Sequence, residues 1–158
     1  CNITNAGDMD ALFANVMTNP KFLYSAFYDY DNQRVIDFFE ENGLAIKVER
    51  GNRVFPVSDH SSDVIATLQK VLKEKKVKVM LHTQVQSLLV ESSGEDAPEN
   101  IVTGVKLTDG TTMQADAVII ATGGFSYQTT GSTGDGYRFA KEAEIWVFVI
   151  SIRTKSAI

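Results

Sequence analysis

The stretch Ala115-Asp116-Ala117-Val118-Ile119-Ile120-Ala121-Thr122-Gly123-Gly124 decides the fold. Its centre, Ala117 to Ala121, is a continuous apolar run rich in β-branched residues, which suits a strand buried on both faces, as in a parallel sheet. The run ends on a glycine pair. In open α/β sheets ligands lie beyond the carboxyl ends of the strands, where glycines let backbone amides approach a phosphate or a ring without an intervening Cβ. Glycines after a strand also make ordinary turns. Ala121, Thr122, Gly123 and Gly124 are therefore either a cofactor loop or plain turn geometry.

Working downstream, a second cluster, Gly131-Ser132-Thr133-Gly134-Asp135-Gly136, opens a helical stretch from Tyr137 to Ala143. Amides at such a helix start point outward and suit anionic or polar ligand groups. Asp135 either caps this helix or accepts from a sugar hydroxyl. Working upstream, Val77, Val79 and Leu81 alternate with polar or less apolar neighbours, and Val85 to Val90 and Ile101 to Leu107 have strand character. Asp109-Gly110 is a tight turn before a short strand, Thr112 to Gln114. Together these strands predict a β-meander, with Ser92 to Asn100 as its one linker-like loop.

The first half predicts helices around a hairpin. Asp8 to Met17 carries Leu12, Phe13, Val16 and Met17 as an apolar stripe behind a capping Asp8, and Asn19-Pro20 stops it. Asp31 to Asn42 follows, with Val35, Ile36, Phe38 and Phe39 on one side and Gly43 as its stop. Leu44 to Val48 and Arg53 to Val57 form a hairpin across Gly51-Asn52, its second arm weakened by Pro56. Ser58 caps the next helix, whose inward stripe is Ile65, Leu68 and Leu72, broadened by Val64 and Val71. Phe22, Tyr24, Phe27, Tyr28 and Tyr30 lack basic interleaving and are expected to be core and loop packing.

Composition narrows the function classes. The 158 residues are 44% apolar and 22% charged, with a mean hydropathy of −0.07, which predicts one soluble domain with a packed core. Fifteen basic against twenty acidic side chains give a net charge of −5. The only dense basic run, Lys73 to Lys78, suits a solvated helix end, so a nucleic-acid surface is not expected. The apolar run Ile145 to Ile152 is too short to span a bilayer, and no signal peptide is visible. One cysteine, Cys1, allows no internal disulfide and favours a cytoplasmic setting. His60 and His82 stand far apart without cysteines, so no metal site is expected. The chain does not begin with Met, which fits a fragment.

Four motifs then carry a family resemblance. The meander end from Asp109 to Gly124 resembles that of two-dinucleotide-fold flavoproteins. With Cys1-Asn2-Ile3-Thr4-Asn5, Arg53-Val54-Phe55-Pro56-Val57-Ser58 and Thr130-Gly131-Ser132-Thr133-Gly134-Asp135-Gly136-Tyr137, the chain is similar to the BaiN-like aminoacetone oxidase family of FAD-binding proteins over residues 1–143. The resemblance implies a partial Rossmann-like α/β FAD domain in which Cys1, Asn2, Thr4 and Asn5 lie near the flavin. It also implies that the backbone of Val85 meets adenine, against the alternative that Val85 is core packing. Gly134, Asp135 and Gly136, with Ala121 to Gly124, complete the implied FAD-contacting set.

Two departures limit that expectation. No G-x-G-x-x-G follows any strand, nor is there the acidic residue that would hold a ribose, and residues 144–158 form a tail that leaves the family pattern. The activity implied is hydride transfer through FAD, NAD(P)-linked, with positioning and electrostatics supplied by the protein. No acid–base pair stands out as catalytic. Two rival readings remain: a truncated, non-catalytic module that does not retain FAD, and an N-terminal nucleophile hydrolase using Cys1, whose own α-amine would be the base.

Overall fold

The computed structural model describes residues 2–92, 100–125, 128–144 and 151–152. It divides into two compact units: Cys1–Val79 with Val149–Ile158, and Met80–Phe148.

The first unit is built on a three-stranded antiparallel sheet. β1 (Thr4–Asn5) is followed by α1 (Met9–Phe13), β2 (Val16–Thr18), a 3-10 turn (Pro20–Leu23), α2 (Tyr24–Asp29) and α3 (Asn32–Glu41). β3 (Ile46–Glu49), β4 (Arg53–Pro56) and α4 (Ser61–Glu74) complete it. The order β1-β4-β3 places Val54, wholly buried, in the central strand. Pro56 is buried at the strand end and faces Ile46, while β1 reaches only Arg53 and Val54. The missing proline N–H therefore costs no ladder bond on the β1 side.

Asp8 caps α1 as expected, accepting from the Ala11 amide at 2.7 Å. The helix stops early, however, because Asn15 turns back to Leu12 and Ala11 and the β-branched Val16 and Thr18 enter a strand. That strand, β2, pairs antiparallel with Ser151–Ile152. The segment expected to be loop packing is instead the 3-10 turn and α2. Phe13 meets Tyr24 and Phe27 edge-on at 4.6 and 5.4 Å, but Phe22, Tyr24, Tyr28 and Tyr30 are exposed, so they are not core.

α3 follows the sequence closely. Asp31 caps it through the Arg34 amide at 2.8 Å, and Ile36 and Phe39 are its buried face. At its end Gly43 takes φ +89°, so its amide bonds Glu40 O and the Leu44 amide bonds Phe39 O, each at 2.9 Å, the pair of bonds that closes a helix with a left-handed residue.

α4 departs from the expected pattern on two counts. Ser58 is not its cap; the hydroxyl accepts from the His60 amide and donates to Asp63. The helix contacts β4, and Thr67 is its buried residue, with Val64, Val71 and Leu72 half-buried, whereas Ile65 is 53% and Leu68 41% exposed. Thr67 tolerates burial because its hydroxyl donates to Asp63 O at 2.8 Å. Val77 and Val79 follow, exposed and outside any ladder.

The second unit is the expected meander with a helix on it. β5 (Val85–Ser92), β6 (Asn100–Leu107) and β7 (Thr112–Gln114) pair antiparallel. The Asp109-Gly110 turn is closed by the Leu107 amide to Thr111 O and the Thr111 amide to Asp109 Oδ1, both 2.8 Å. Those Thr111 bonds hold the Asp109 carboxyl below its ordinary range. Among the described residues Met80 and Leu81, like Val77 and Val79, pair with no strand, and the loop at 93–99 lies outside those residues. A second 3-10 turn (Gln128–Thr130) precedes α5 (Asp135–Glu142). Leu88, Phe139 and Ala143 form the core, with Val85, Val102, Val105 and Val118 against it.

Ala117 to Ala121 overturns one expectation. Only Val118 contributes to the core, and Ile119 is 91% exposed. After the Ala115 amide bonds Thr103 O, the chain runs on without a ladder. Among the described residues every ladder is antiparallel, and no neighbouring strand accepts this run's amides, so its apolarity buries little. No helix among them is long and apolar enough to cross a membrane.

Candidate functional site

The two glycine-bearing bends of the second unit come together. A Cβ on Gly123 would lie 2.7 Å from Ser132 Oγ, and one on Gly136 would lie 2.9 Å from Thr122 Oγ1 and 3.1 Å from Ile120 Cγ2. A Cβ on Gly134 would enter the Phe125 ring, and that ring stacks on Tyr137 with centroids 5.1 Å apart and planes 2° from parallel. The bend after the apolar run and the bend before α5 thus interlock, each filling the space the other's glycines leave free. Gly124 is looser, with Tyr137 Oη 3.8 Å from its would-be Cβ.

What this region offers a ligand is mostly backbone. Ala121, Thr122 and Gly123 are exposed, Gly124, Asp135 and Gly136 half-buried, and Gly134 buried. Gly134, in the left-handed conformation (φ +74°), is the residue just before α5 and offers no side-chain cap. The Tyr137 amide bonds Gly134 O at 3.1 Å, and amides at a helix start without a side-chain cap favour an acceptor-rich group. Exposed Ile119 and Phe125 add apolar surface beside them. Such a mixed edge suits a ligand with a flat apolar part and polar oxygens, so the residues present fit a dinucleotide.

Asp135 does not cap α5. One carboxylate oxygen accepts from Thr133 Oγ1 at 2.6 Å and the other faces Arg138 at 3.2 Å. The Thr133 hydroxyl first, and the Arg138 guanidinium second, hold this carboxyl below its ordinary range. Asp135 is therefore charged at neutral pH. Val85 pairs with Leu107 across the meander, and its side chain packs on the core. Core packing is thus one of its roles.

The remaining candidates belong to the first unit. Thr4 and Asn5 pair with Val54 and Arg53. Asn5 reaches Gly51 O at 2.9 Å through Nδ2 and accepts from the Gly7 amide at 2.8 Å. Its own carbonyl accepts from Asn32 Nδ2 at 2.6 Å. Asn2, with its amide nitrogen turned to donate, reaches Thr4 O at 2.8 Å and Val54 O at 3.2 Å. Cys1 lies outside the described residues.

Sequence reasoning missed four participants. Ser132 and Phe125 fill the glycine bends, Asn32 ties down Asn5 and Gly7, and Arg138 links α5 to Gln86 O. Only Arg138 carried a signal, standing three residues after Asp135 and four before Glu142 on one helix face. A cleft of about 490 Å³ lies in the first unit beside Leu44, Ser58, Asp63 and Thr67. Its Ser58 and Asp63 bond one another, and it holds none of the candidate residues.

The HI0933-like protein Rossmann domain family matches residues 1–152. A 3-dehydro-bile acid delta(4,6)-reductase of Clostridium scindens is 31% identical over 141 residues, 89% of this chain and 32% of that protein. A ribosomal RNA dihydrouridine synthase of Haemophilus influenzae is 27% identical over 142 residues, 90% of this chain and 33% of that protein. The chain spans about one third of the length of these curated relatives.

Proposed function

The chain belongs to the HI0933-like Rossmann-domain family, and from that premise we propose that it is an internal part of the cofactor domain of a cytoplasmic, FAD-dependent, NAD(P)-linked oxidoreductase. Membership bears out the resemblance carried by the Cys1–Asn5, Arg53–Ser58 and Asp109–Tyr137 motifs, and with it the α/β, partial Rossmann class. Both relatives are named for reductive chemistry, one as a reductase and the other for making dihydrouridine, a reduced uridine.

The observation that carries the proposal is the interlocking of the two bends. Ala121 to Gly124 and Gly134 to Gly136 would hold FAD by backbone, with Asp135 accepting from a sugar hydroxyl beside Thr133. The backbone of Val85 would contact adenine, and Cys1, Asn2, Thr4 and Asn5 would lie near the ring. FAD, when bound, supplies the hydride-accepting ring. This chain's contribution is binding and orientation, and none of its side chains is assigned an acid–base step.

The test is flavin retention. The parent protein should purify yellow, and Gly123→Val or Gly134→Val should strip its flavin while Lys75→Ala leaves it in place. Equal retention in all of these would overturn the proposal. A second reading, that the chain alone does not retain FAD, is favoured by the unpaired apolar runs at Val77–Leu81 and Ala117–Ile120. A colourless sample of the isolated chain that ignores added FAD, beside a yellow parent, would establish it.

A further inference from the structure

Arg138 joins two of the three backbone elements assigned to the cofactor in the second unit, the strand start at Val85 and the bend at Gly134–Gly136. Across β5 and β6 the register shifts between Val85, which faces Leu107, and Ser87, which faces Lys106. Gln86 is the extra residue of that bulge, and a bulge leaves its extra residue without a ladder partner. The freed Gln86 carbonyl accepts from Arg138 Nη1 at 2.6 Å. The same guanidinium bonds Glu142 at 2.9 Å and Asp135 at 3.2 Å, and lies 4.4 Å from the centre of the Phe139 ring. Phe139 is itself a core residue, only 3% exposed.

We propose that Arg138 is a positioning residue: it clamps the Val85–Ser87 bulge to the Gly134–Gly136 bend and so sets the spacing of two of the elements assigned to FAD. The inference rests on the flavoprotein reading above. A planar guanidinium with five donors meets three acceptors in fixed directions, which a lysine ammonium on a flexible stem does not reproduce. The ion pairs are solvent-exposed, with the Arg138 side chain 44% exposed, and exposed pairs contribute little to global stability. The clamp should therefore matter for spacing more than for folding.

The experiment compares wild type, Arg138→Lys and Arg138→Gln in the full-length parent. It measures the FAD Kd of the deflavinated protein, the Tm of that apoprotein, and amide hydrogen exchange across residues 85–88 and 134–138. We expect Tm to move by no more than about 2–4 °C. Kd should weaken roughly tenfold in Arg138→Gln, with Arg138→Lys in between, and exchange should quicken in both segments of the apoprotein. Unchanged exchange in both segments, or unchanged Kd in Arg138→Gln, overturns the clamp. A wild-type apoprotein that never saturates with FAD sinks the flavoprotein reading instead, and does so whatever the exchange pattern shows.

Discussion

Gly134→Ala puts the interlocked bends under direct strain. Gly134 sits at φ +74°, where an L side chain costs about 1–2 kcal/mol. The new methyl would lie 2.6 Å from Phe125 Cζ and 2.8 Å from Cδ1, far inside contact distance. The far end of an exposed ring can swing away, so the steric cost is the loss of the Phe125–Tyr137 stack, about 0.5–1.5 kcal/mol. Against this, alanine restricts the unfolded chain and returns roughly 0.4–1 kcal/mol. The net expectation is a loss of about 2 kcal/mol, a fall of roughly 1 M in the urea midpoint for a slope near 2 kcal/mol/M. Urea unfolding followed by circular dichroism reads it, with Gly124→Ala, whose methyl meets only Tyr137 Oη at 3.8 Å, expected within about 0.5 kcal/mol of wild type. Combining Gly134→Ala with Phe125→Ala should cost less than the two changes summed, because the ring is then no longer in the way. Additive costs, or equal midpoints for Gly134→Ala and Gly124→Ala, would refute the interlock.

Other consequences can be checked separately. Gly104→Ala drives a methyl into the Met113 carbonyl of the neighbouring strand. Backbone cannot swing aside as a ring can, so the β6–β7 pairing should be lost, seen as quickened amide exchange at Thr112–Gln114. Asn32→Ala leaves the Asn5 and Gly7 carbonyls without their shared donor and should cost about 1–2 kcal/mol in denaturant unfolding. Ile65→Ser with Leu68→Ser should change stability by less than about 1 kcal/mol because both side chains are exposed, whereas a loss of about 3 kcal/mol would restore them to the core. Asp135 has a folded pKa below the ordinary aspartate value of about 3.9. Its contribution is therefore present above that value and lost as pH falls through the lower folded one. Asp135→Asn should accordingly flatten the acid limb of the stability–pH profile below about pH 4, and an unchanged limb would remove the Thr133 and Arg138 bonds as its cause.

How far the sequence showed the fold depended on whether the deciding partner lay nearby along the chain. Asp8, Asp31 and Gly43 act within four residues of themselves, and each performs the capping or stopping role its chemistry predicts. The hairpin at Gly51-Asn52 and the turn at Asp109-Gly110 are equally local. The short helix around Tyr24 to Asp29 was hidden because aromatic residues have middling helix propensity and no cap precedes it. Val16 and Met17, expected at the end of a helix, lie instead in β2, because the strand that pairs with it, Ser151–Ile152, lies more than a hundred residues away.

α4 and the run after Ala115 show why apolar periodicity alone stops short of a burial map. On α4 hydrophobicity favours Ile65, Leu68 and Leu72, broadened by Val64 and Val71, as the inward stripe, yet Ile65 and Leu68 are exposed. The structure buries Thr67 instead, and its hydroxyl is satisfied within its own helix. Ile119 makes the same point on a strand: its side chain is fit for a doubly covered sheet, yet burial needs a neighbouring strand, and none among the described residues is placed to supply it. The glycines escape this ambiguity because their requirement is steric. Gly123, Gly134 and Gly136 each face a heavy atom closer than a Cβ permits, so the convergence of the two bends is written in which residues lack side chains. The partners that fill those spaces, Ser132, Phe125 and Thr122, could be found only in three dimensions.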